Sequence, residues 1–363
     1  MTQPAYKGYS QQLMASVFQK EATFAAGKTH TDSTSCSFHG FEFDPAIADV
    51  VTNDKDEING KEHGYDQEIT AYRNNPTLKF ARVRPNDFAA WASLVFGVST
   101  ATQDSALTAY RHAISPIADG TGLPSISLVH KIQGIQTEYK GVKGNTFGLS
   151  GSVDQNGGFV SMDIGLIGSG QRATNAASFA AAITESWMKM DQLKLFLETG
   201  ANISILAGTT PVQAAEDISS ATPDDLSIRL ASFDFQWNNN GSGQPGAGGA
   251  GYHQDVIYGR RAATFKATIQ GADGTEIGYY ATQEVCAVEL DFKAAGLIAV
   301  GGAMYYGGSI IIPRCKIKVY PQPKGAVGDP LTQDLEFEIF ENGTNAPVLI
   351  YGYTAQAAYL AAP

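Results

Sequence analysis

Apolar residues recur at every second position along much of this chain. Val160, Met162, Ile164 and Leu166 alternate with Ser161, Asp163 and Gly165. Ala263, Phe265, Ala267 and Ile269 alternate with Thr264, Lys266 and Thr268. The same holds for Cys286, Val288, Leu290 and Phe292 around Glu289 and Asp291, for Cys315, Ile317 and Val319 around Lys316 and Lys318, and for Leu335, Phe337 and Ile339 around Glu336 and Glu338. A period of two predicts strands with one buried and one polar face. Further strands are predicted over residues 77–83, 123–131, 139–152 and 348–353, with a hairpin over 192–206. In 226–237 the apolar phase slips from Leu226, Ile228 and Leu230 to Phe233, Phe235 and Trp237. A one-residue slip requires a bulge near Ala231–Ser232.

Helical spacing is rarer. Residues 86–97 predict a helix, capped by Asn86, with Phe88, Trp91, Leu94 and Val95 on one side and Gly97 ending it. Two more are expected: 8–20, from Leu13, Met14, Val17 and Phe18, and 175–190, from Phe179, Ile183 and Trp187. Residues 21–75 read as extended or irregular. The division expected is an N-terminal arm over 1–75, with a short helix and an acidic irregular segment, and a β domain over 76–363. Residues 238–251, NNNGSGQPGAGGAG, read as a flexible loop that buries nothing.

Composition supports a mainly β reading. The 363 residues are 43% hydrophobic, only 17% charged, and include 39 glycines. A disordered chain or a coiled coil is excluded on those grounds. The formal charge of −11 argues against a duplex-DNA wrapper. Between residues 41 and 70 stand nine acids against two lysines, so this stretch alone carries −7. It reads as a solvated arm or as a contact to a neighbouring subunit. No run approaches the ~20 apolar residues of a membrane helix. The N-terminus lacks a secretory pattern, and Cys36, Cys286 and Cys315 form no framework, so free thiols and cytosolic synthesis are expected.

Candidate chemistry is thin. GSGQPG at 241–246 fits the spacing of a dinucleotide loop, but Pro245 and further glycines follow where a helix must open. From Asp54, a calcium loop would place Ile58 and Asn59 where an oxygen ligand and Gly belong. His30, Cys36 and His39 lie within ten residues but lack a second pair at zinc spacing, so they read as a polar loop. Glu336 and Glu338, two apart on one strand, read as a solvated face rather than a glycosidase pair. His112 and His130 have no obvious nucleophile partner, and no G-x-S-x-G occurs. No enzyme activity, cofactor or metal is expected.

An ordered series of phrases does carry a resemblance. PTLKFARVRP at 76–85 is followed by LVFG at 94–97, LPSISL at 123–128, YKGVKGNTFGLS at 139–150 and GFVSMD at 158–163. DLSIRLASFDF at 225–235, YGRR at 258–261 and SIIIPRCKI at 309–317 complete it. The series resembles tailed-bacteriophage tail tube (major tail) proteins over about residues 76–353.

The resemblance implies an antiparallel β-sandwich or half-barrel with flanking α-helices, whose inner sheet completes a ring barrel in the oligomer. The secretion tube of type VI systems shares that fold. It implies a structural subunit of the virion tail, forming hexameric rings or, with a duplicated core, trimeric ones, stacked into a tube. It further implies a lumen holding the tape-measure protein and passing DNA, baseplate and tail-terminator proteins at the ends, a sheath in contractile tails, and no membrane. With that fold, Ser161, Asp163, Glu289 and Asp291 are expected to face the lumen. Glu42, Asp44, Asp54, Asp56, Glu57, Gly243 and Gly246 are expected at subunit contacts. Insertions on a single core are preferred to duplication, because the two halves show no self-similarity. Alternatives are another virion β protein (capsid, decoration or baseplate) and a carbohydrate-binding β-sandwich.

Overall fold

The computed structural model describes residues 11–53, 67–132, 134–200, 223–247, 250–271, 274–325, 331–341, 343 and 345–363. In chain order the elements are β1 (Gln11–Ala15), β2 (Cys36–Phe38), β3 (Phe41–Asp44), β4 (Val50–Asn53), β5 (Gln67–Ala71), β6 (Thr77–Phe80), α1 (Pro85–Phe96), β7 (Gly97–Gln103) and β8 (Tyr110–Pro116). Then come β9 (Ile126–Ile132), β10 (Ile135–Ser152), β11 (Ser161–Ile167), β12 (Arg172–Thr174), β13 (Leu193–Thr199), β14 (Asp224–Asp225), β15 (Leu230–Asn238), β16 (Gly241–Pro245) and β17 (His253–Tyr258). The last are β18 (Ala262–Gln270), α2 (Thr275–Thr282), β19 (Cys286–Leu297), β20 (Tyr305–Ile317), β21 (Thr332–Ile339) and β22 (Leu349–Thr354).

The architecture is mainly β and antiparallel, as the alternating pattern predicts. One long ladder runs β3-β6-β11-β10-β15-β18-β21-β20-β19-β13. From β20 a branch continues through β22 and β8 to β7. From the first half of β10 another continues through β9 and β1 to β2. The 18-residue β10 thus belongs to two sheets, and a shared core fills the space between them. The ladders branch and do not close into a barrel within the subunit. The phase slip in β15 is met by a register shift between Leu230 and Ser232 against β18.

Helix α1 is buried along its whole length. Pro85 fills its first position, where no N–H is needed. Asp87 accepts from the Arg84 backbone N–H at 3.3 Å, and Gly97 closes the helix at φ 91°. Arg84, not Asn86, is the cap residue. The helix lies close to the sheet because Gly144 has no side chain: a Cβ there would stand 2.6 Å from the Val95 Cα.

Two predicted helices are absent. Within 8–20 the described residues form β1, followed by irregular chain. Strand β1 lies between β2 and β9, with Leu13 and Ala15 in the main core and Met14 packed with Val129 and Ala180 behind it. A strand buried on both faces shows an unbroken apolar run, which imitates a helix face. Residues 175–189 form an irregular strap. Its backbone bonds outward: Asn175 N–H to Gln136 O at 3.1 Å, Ala181 N–H to Asp32 Oδ1 at 2.9 Å, Met188 N–H to Val83 O at 2.8 Å. Those partners replace the internal ladder a helix would need. Helix α2 carries no strong apolar period and was not anticipated.

The described part of residues 1–75 contributes to the main core. Val17, Phe18, Cys36, Phe38 and Phe43 share the main core with α1. The Gly-rich stretch is also more ordered in pairing than expected: β16 forms a hairpin with β17. Asn239 is buried, accepting from Trp237 Nε1 at 3.0 Å and donating to Val95 O at 2.8 Å. Residues 248–249 lie outside the described residues, as does most of the second half of the predicted 192–206 hairpin.

Candidate assembly surfaces

The long ladder aligns its polar positions into continuous rows. One row reads Glu42, Lys79, Asp163, Gly148, Gln236, Thr264, Glu338, Lys316 across eight strands. The adjacent row reads Ser161, Ser150, Asp234, Lys266, Glu336. The intervening residues, among them Phe80, Met162, Phe147, Phe235, Phe265 and Phe337, point the other way into the core. One face of this sheet is therefore apolar and the other carries Glu42, Asp44, Asp163, Asp234, Asp334, Glu336 and Glu338 with Lys79, Lys266 and Lys316.

Cross-strand partners moderate this charge. Glu336 lies 3.2 Å from Lys266 and 3.5 Å from Lys318. The hydrogen bond from Lys266 holds its carboxyl below the usual range. Asp334 is likewise lowered by the bond from Lys324, 2.9 Å away, and also accepts from Thr268 at 2.9 Å. Ser150 and Ser161 share a 3.0 Å hydrogen bond.

The four expected lumen residues separate. Asp163 is exposed and Ser161 half-buried, both on the polar face. Glu289 and Asp291 are buried, at 0% and 4% exposure. In register Glu289 sits between Phe196 on β13 and Ile311 on β20, and Asp291 between Lys194 and Ser309. Phe196, Ala287, Met304, Ile311, Tyr351 and Tyr353 form a second apolar cluster on this side of β19. Burial within the subunit sets Glu289 and Asp291 apart from Ser161 and Asp163.

The described ones among the expected contact residues fall on β3 and on or just after β16. Glu42 and Asp44 are exposed on β3, and Asp44 accepts from Ala46 N–H at 2.8 Å. Asp54, Asp56 and Glu57 lie outside the described residues. Gly243 and Gly246 are on and just after β16, where a Cβ would stand 2.0 Å from His253 and 2.5 Å from Gln254. Close hairpin packing accounts for both glycines. The acidic stretch and the Gly-rich stretch touch at their bases. Tyr72 stacks on Tyr252 at 4.8 Å, and Arg73 donates to Gly251 O at 2.6 Å. Asp49 pairs with Arg172 and accepts from Arg73 N–H at 3.0 Å. Beside them Ile47, Val50, Val51 and Ile69 expose apolar side chains on or next to the β4–β5 hairpin.

A second polar group is internal. Glu185 of the strap accepts from Asn86 N–H at 2.8 Å, at the start of α1. Tyr359 donates to Asn86 Oδ1 at 2.7 Å, and Arg84 covers the Trp187 ring at 4.0 Å. Burial pushes Glu185 up to about 7, with Asp87 adding to the rise. Burial also pushes Asp87 up to about 7, against the Arg84 guanidinium. Burial lowers His112 and His130 to about 4. His30 meets Ser35 Oγ at 2.9 Å, whereas Cys36 lies in the core. Among the described residues no group of three His, Cys, Asp or Glu is arranged for a metal.

A polar sheet face backed by the main core, with a glycine-dependent hairpin beside it, suits assembly more than catalysis. A family model described as phage tail tube protein matches residues 24–339. The chain belongs to the phage tail tube protein family. A search of curated proteins gives no match. Tail tube proteins are structural components of the virion tail, not an enzyme family, and this chain shares that role and place. The match begins at residue 24, well before residue 76, where the sequence phrases begin. This agrees with the packing of β2, β3 and β6 into the common sheet system.

Sequence reasoning singled out Ser161 and Asp163 but missed the rest of their row. Lys79, Asp234 and Gln236 each sit at an alternating polar position, so the local signal was present. Their alignment with Asp163 depends on strand register, which no single strand records.

Proposed function

We propose that this chain self-assembles into stacked rings whose joined inner sheets form the tail channel. The carrying observation is the polar row from Glu42 to Lys316, continuous over eight strands and apolar behind. A wide channel needs a sheet that is wet on one face and packed on the other. Strands β3 and β7 each have one neighbour among the described residues. Such edges present unpaired backbone groups that a neighbouring copy can satisfy. In this reading the face bearing Ser161 and Asp163 lines the lumen, holds the tape-measure protein and conducts DNA. Its surplus of carboxylates repels phosphate and so disfavours adhesion of the passing genome.

The β4–β5 and β16–β17 hairpins, with Glu42, Asp44, Gly243 and Gly246 at or near them, serve contacts between copies. Baseplate and terminator proteins close the tube ends. Ring symmetry of six follows from the family resemblance.

Negative-stain microscopy of the purified chain tests this. Stacked rings roughly 90–100 Å wide are expected, the scale of six such subunits around a channel. A chain that stays monomeric at high concentration and under seeding by native tube ends overturns the proposal.

A further inference from the structure

We propose that Cys286 and Cys315 are a latent cross-strand disulfide, open during cytoplasmic synthesis and closed by oxidation once the particle has left the cell. The two residues stand directly opposite each other on β19 and β20. Opposed residues on antiparallel strands point to one face, with Cα atoms about 4.5–5.5 Å apart. That span falls inside the ~4.4–6.8 Å found across disulfides. Both thiols are free and fully buried in the same core cluster. Their hydrogen bonds are local to the strand pair: Cys315 Sγ donates to Cys286 O at 3.4 Å, and Cys286 Sγ to Glu284 O at 3.7 Å. Neither bond ties a sulfur to a distant element.

The position also supplies a route for the oxidant. Cys286 is the first residue of β19, and the register slips immediately after it, between Cys286 and Val288. Strand ends beside a bulge open more readily than ladder centres. In the closed ladder the thiols stay protonated, because burial raises Cys286 to about 12 and lifts Cys315 well above its ordinary value. They are therefore protected while the chain folds in a reducing compartment.

The chemistry balances with a low-molecular-weight disulfide as oxidant. Cys286 loses its proton on opening, and its thiolate attacks one oxidant sulfur. The oxidant S–S bond breaks and one small thiolate leaves, taking up a proton. Cys315 then loses its proton, and its thiolate attacks Cys286 Sγ, expelling the second small thiol. Two protein thiols are oxidised and one oxidant disulfide becomes two thiols. Cys36, on β2 and contacted by Asn86 Nδ2 at 3.7 Å, takes no part.

The purified full-length chain is incubated with oxidised glutathione, then alkylated under denaturing conditions and mapped without reduction. The expected result is a mass loss of about 2 Da, a linked peptide pair containing Cys286 and Cys315, and an alkylated Cys36. Thermal stability rises and returns on reduction. In Cys315→Ser and in Cys315→Ala, the linkage disappears and glutathione accumulates on Cys286. Three alkylated cysteines in the oxidised wild-type chain, a linkage through Cys36, or a stable glutathione adduct on wild-type Cys286 would each overturn the assignment.

Discussion

Strands β11 and β19 alternate polar and apolar residues alike yet put their acids in opposite environments. On β11, Ser161 and Asp163 reach the polar face of the sheet, between Lys79 and Gly148 in the case of Asp163. On β19, Glu289 and Asp291 are enclosed beside Phe196 and Ile311. The pattern of a strand states which residues share a face. What covers that face is decided by chain segments far away in sequence, here β13 and the residues around Met304.

The sharpest way to break this contrast is one charge reversal on each strand. Glu289→Lys forces a longer cation into an enclosed site, and a loss on the order of 3–5 kcal/mol is expected. Asp163→Lys, on the solvated face, should change subunit stability by about 0.5 kcal/mol or less. Denaturant unfolding of the two variants under non-assembling conditions measures both. Equal losses would remove the distinction between the strands.

A second test compares the two faces of one strand. Gly144 of β10 faces α1, and an added Cβ would meet the Val95 backbone at 2.6 Å. Gly148, four residues on, faces the polar side, where a Cβ would meet only the Gln236 amide at 2.8 Å. Gly144→Ala should cost about 1–3 kcal/mol by overpacking. At Gly148 the Gln236 side chain can swing away, so Gly148→Ala should cost clearly less. The reverse order in thermal melts would show that the helix, rather than the side chain, is the part that yields.

The smallest effect expected concerns pH. A buried carboxyl with a raised pKa keeps its proton in the folded chain after the unfolded chain has lost it. Its stabilising share is full below the ordinary carboxylate range and is lost as pH rises through about 7, for Glu185 and Asp87 alike. His112 and His130 act oppositely: their share is present above the ordinary imidazole range and is lost as pH falls through about 4. Glu185→Gln keeps an acceptor for Asn86 N–H and removes the charge. Between pH 5 and 8 the melting temperature of the wild type should fall relative to this variant by roughly 2 °C. A constant gap across that range would mean Glu185 is not held protonated.

Some of this was legible in the chain itself. The slip from Leu230 to Phe233 announced its bulge, because one strand must bring both residues into the core; Ile228, ahead of β15, is exposed instead. Helix α1 was legible from Phe88, Trp91 and Leu94 ahead of a closing glycine, although its cap is Arg84 and not Asn86. The strap at 175–189 was not, since Phe179, Ile183 and Trp187 keep a helical spacing while their backbone bonds go to Gln136, Asp32 and Val83. Nor was the β16–β17 hairpin, where glycine serves tight packing against His253 rather than freedom. The single-strand candidates Asp163 and Glu289 looked alike for the reason given by their strands.

The sequence by itself determined the β class, the buried helix and the ordered phrases that place the chain among tail tube proteins. The first two rest on local geometry: a period of two or 3.6, a closing glycine, a phase slip. Tertiary structure alone decided that Glu42, Asp163, Gln236 and Glu338 form one row, that Glu289 is enclosed, and that Cys286 faces Cys315. Each of these depends on register between strands distant along the chain, and a strand's own residues fix its faces but not its neighbours.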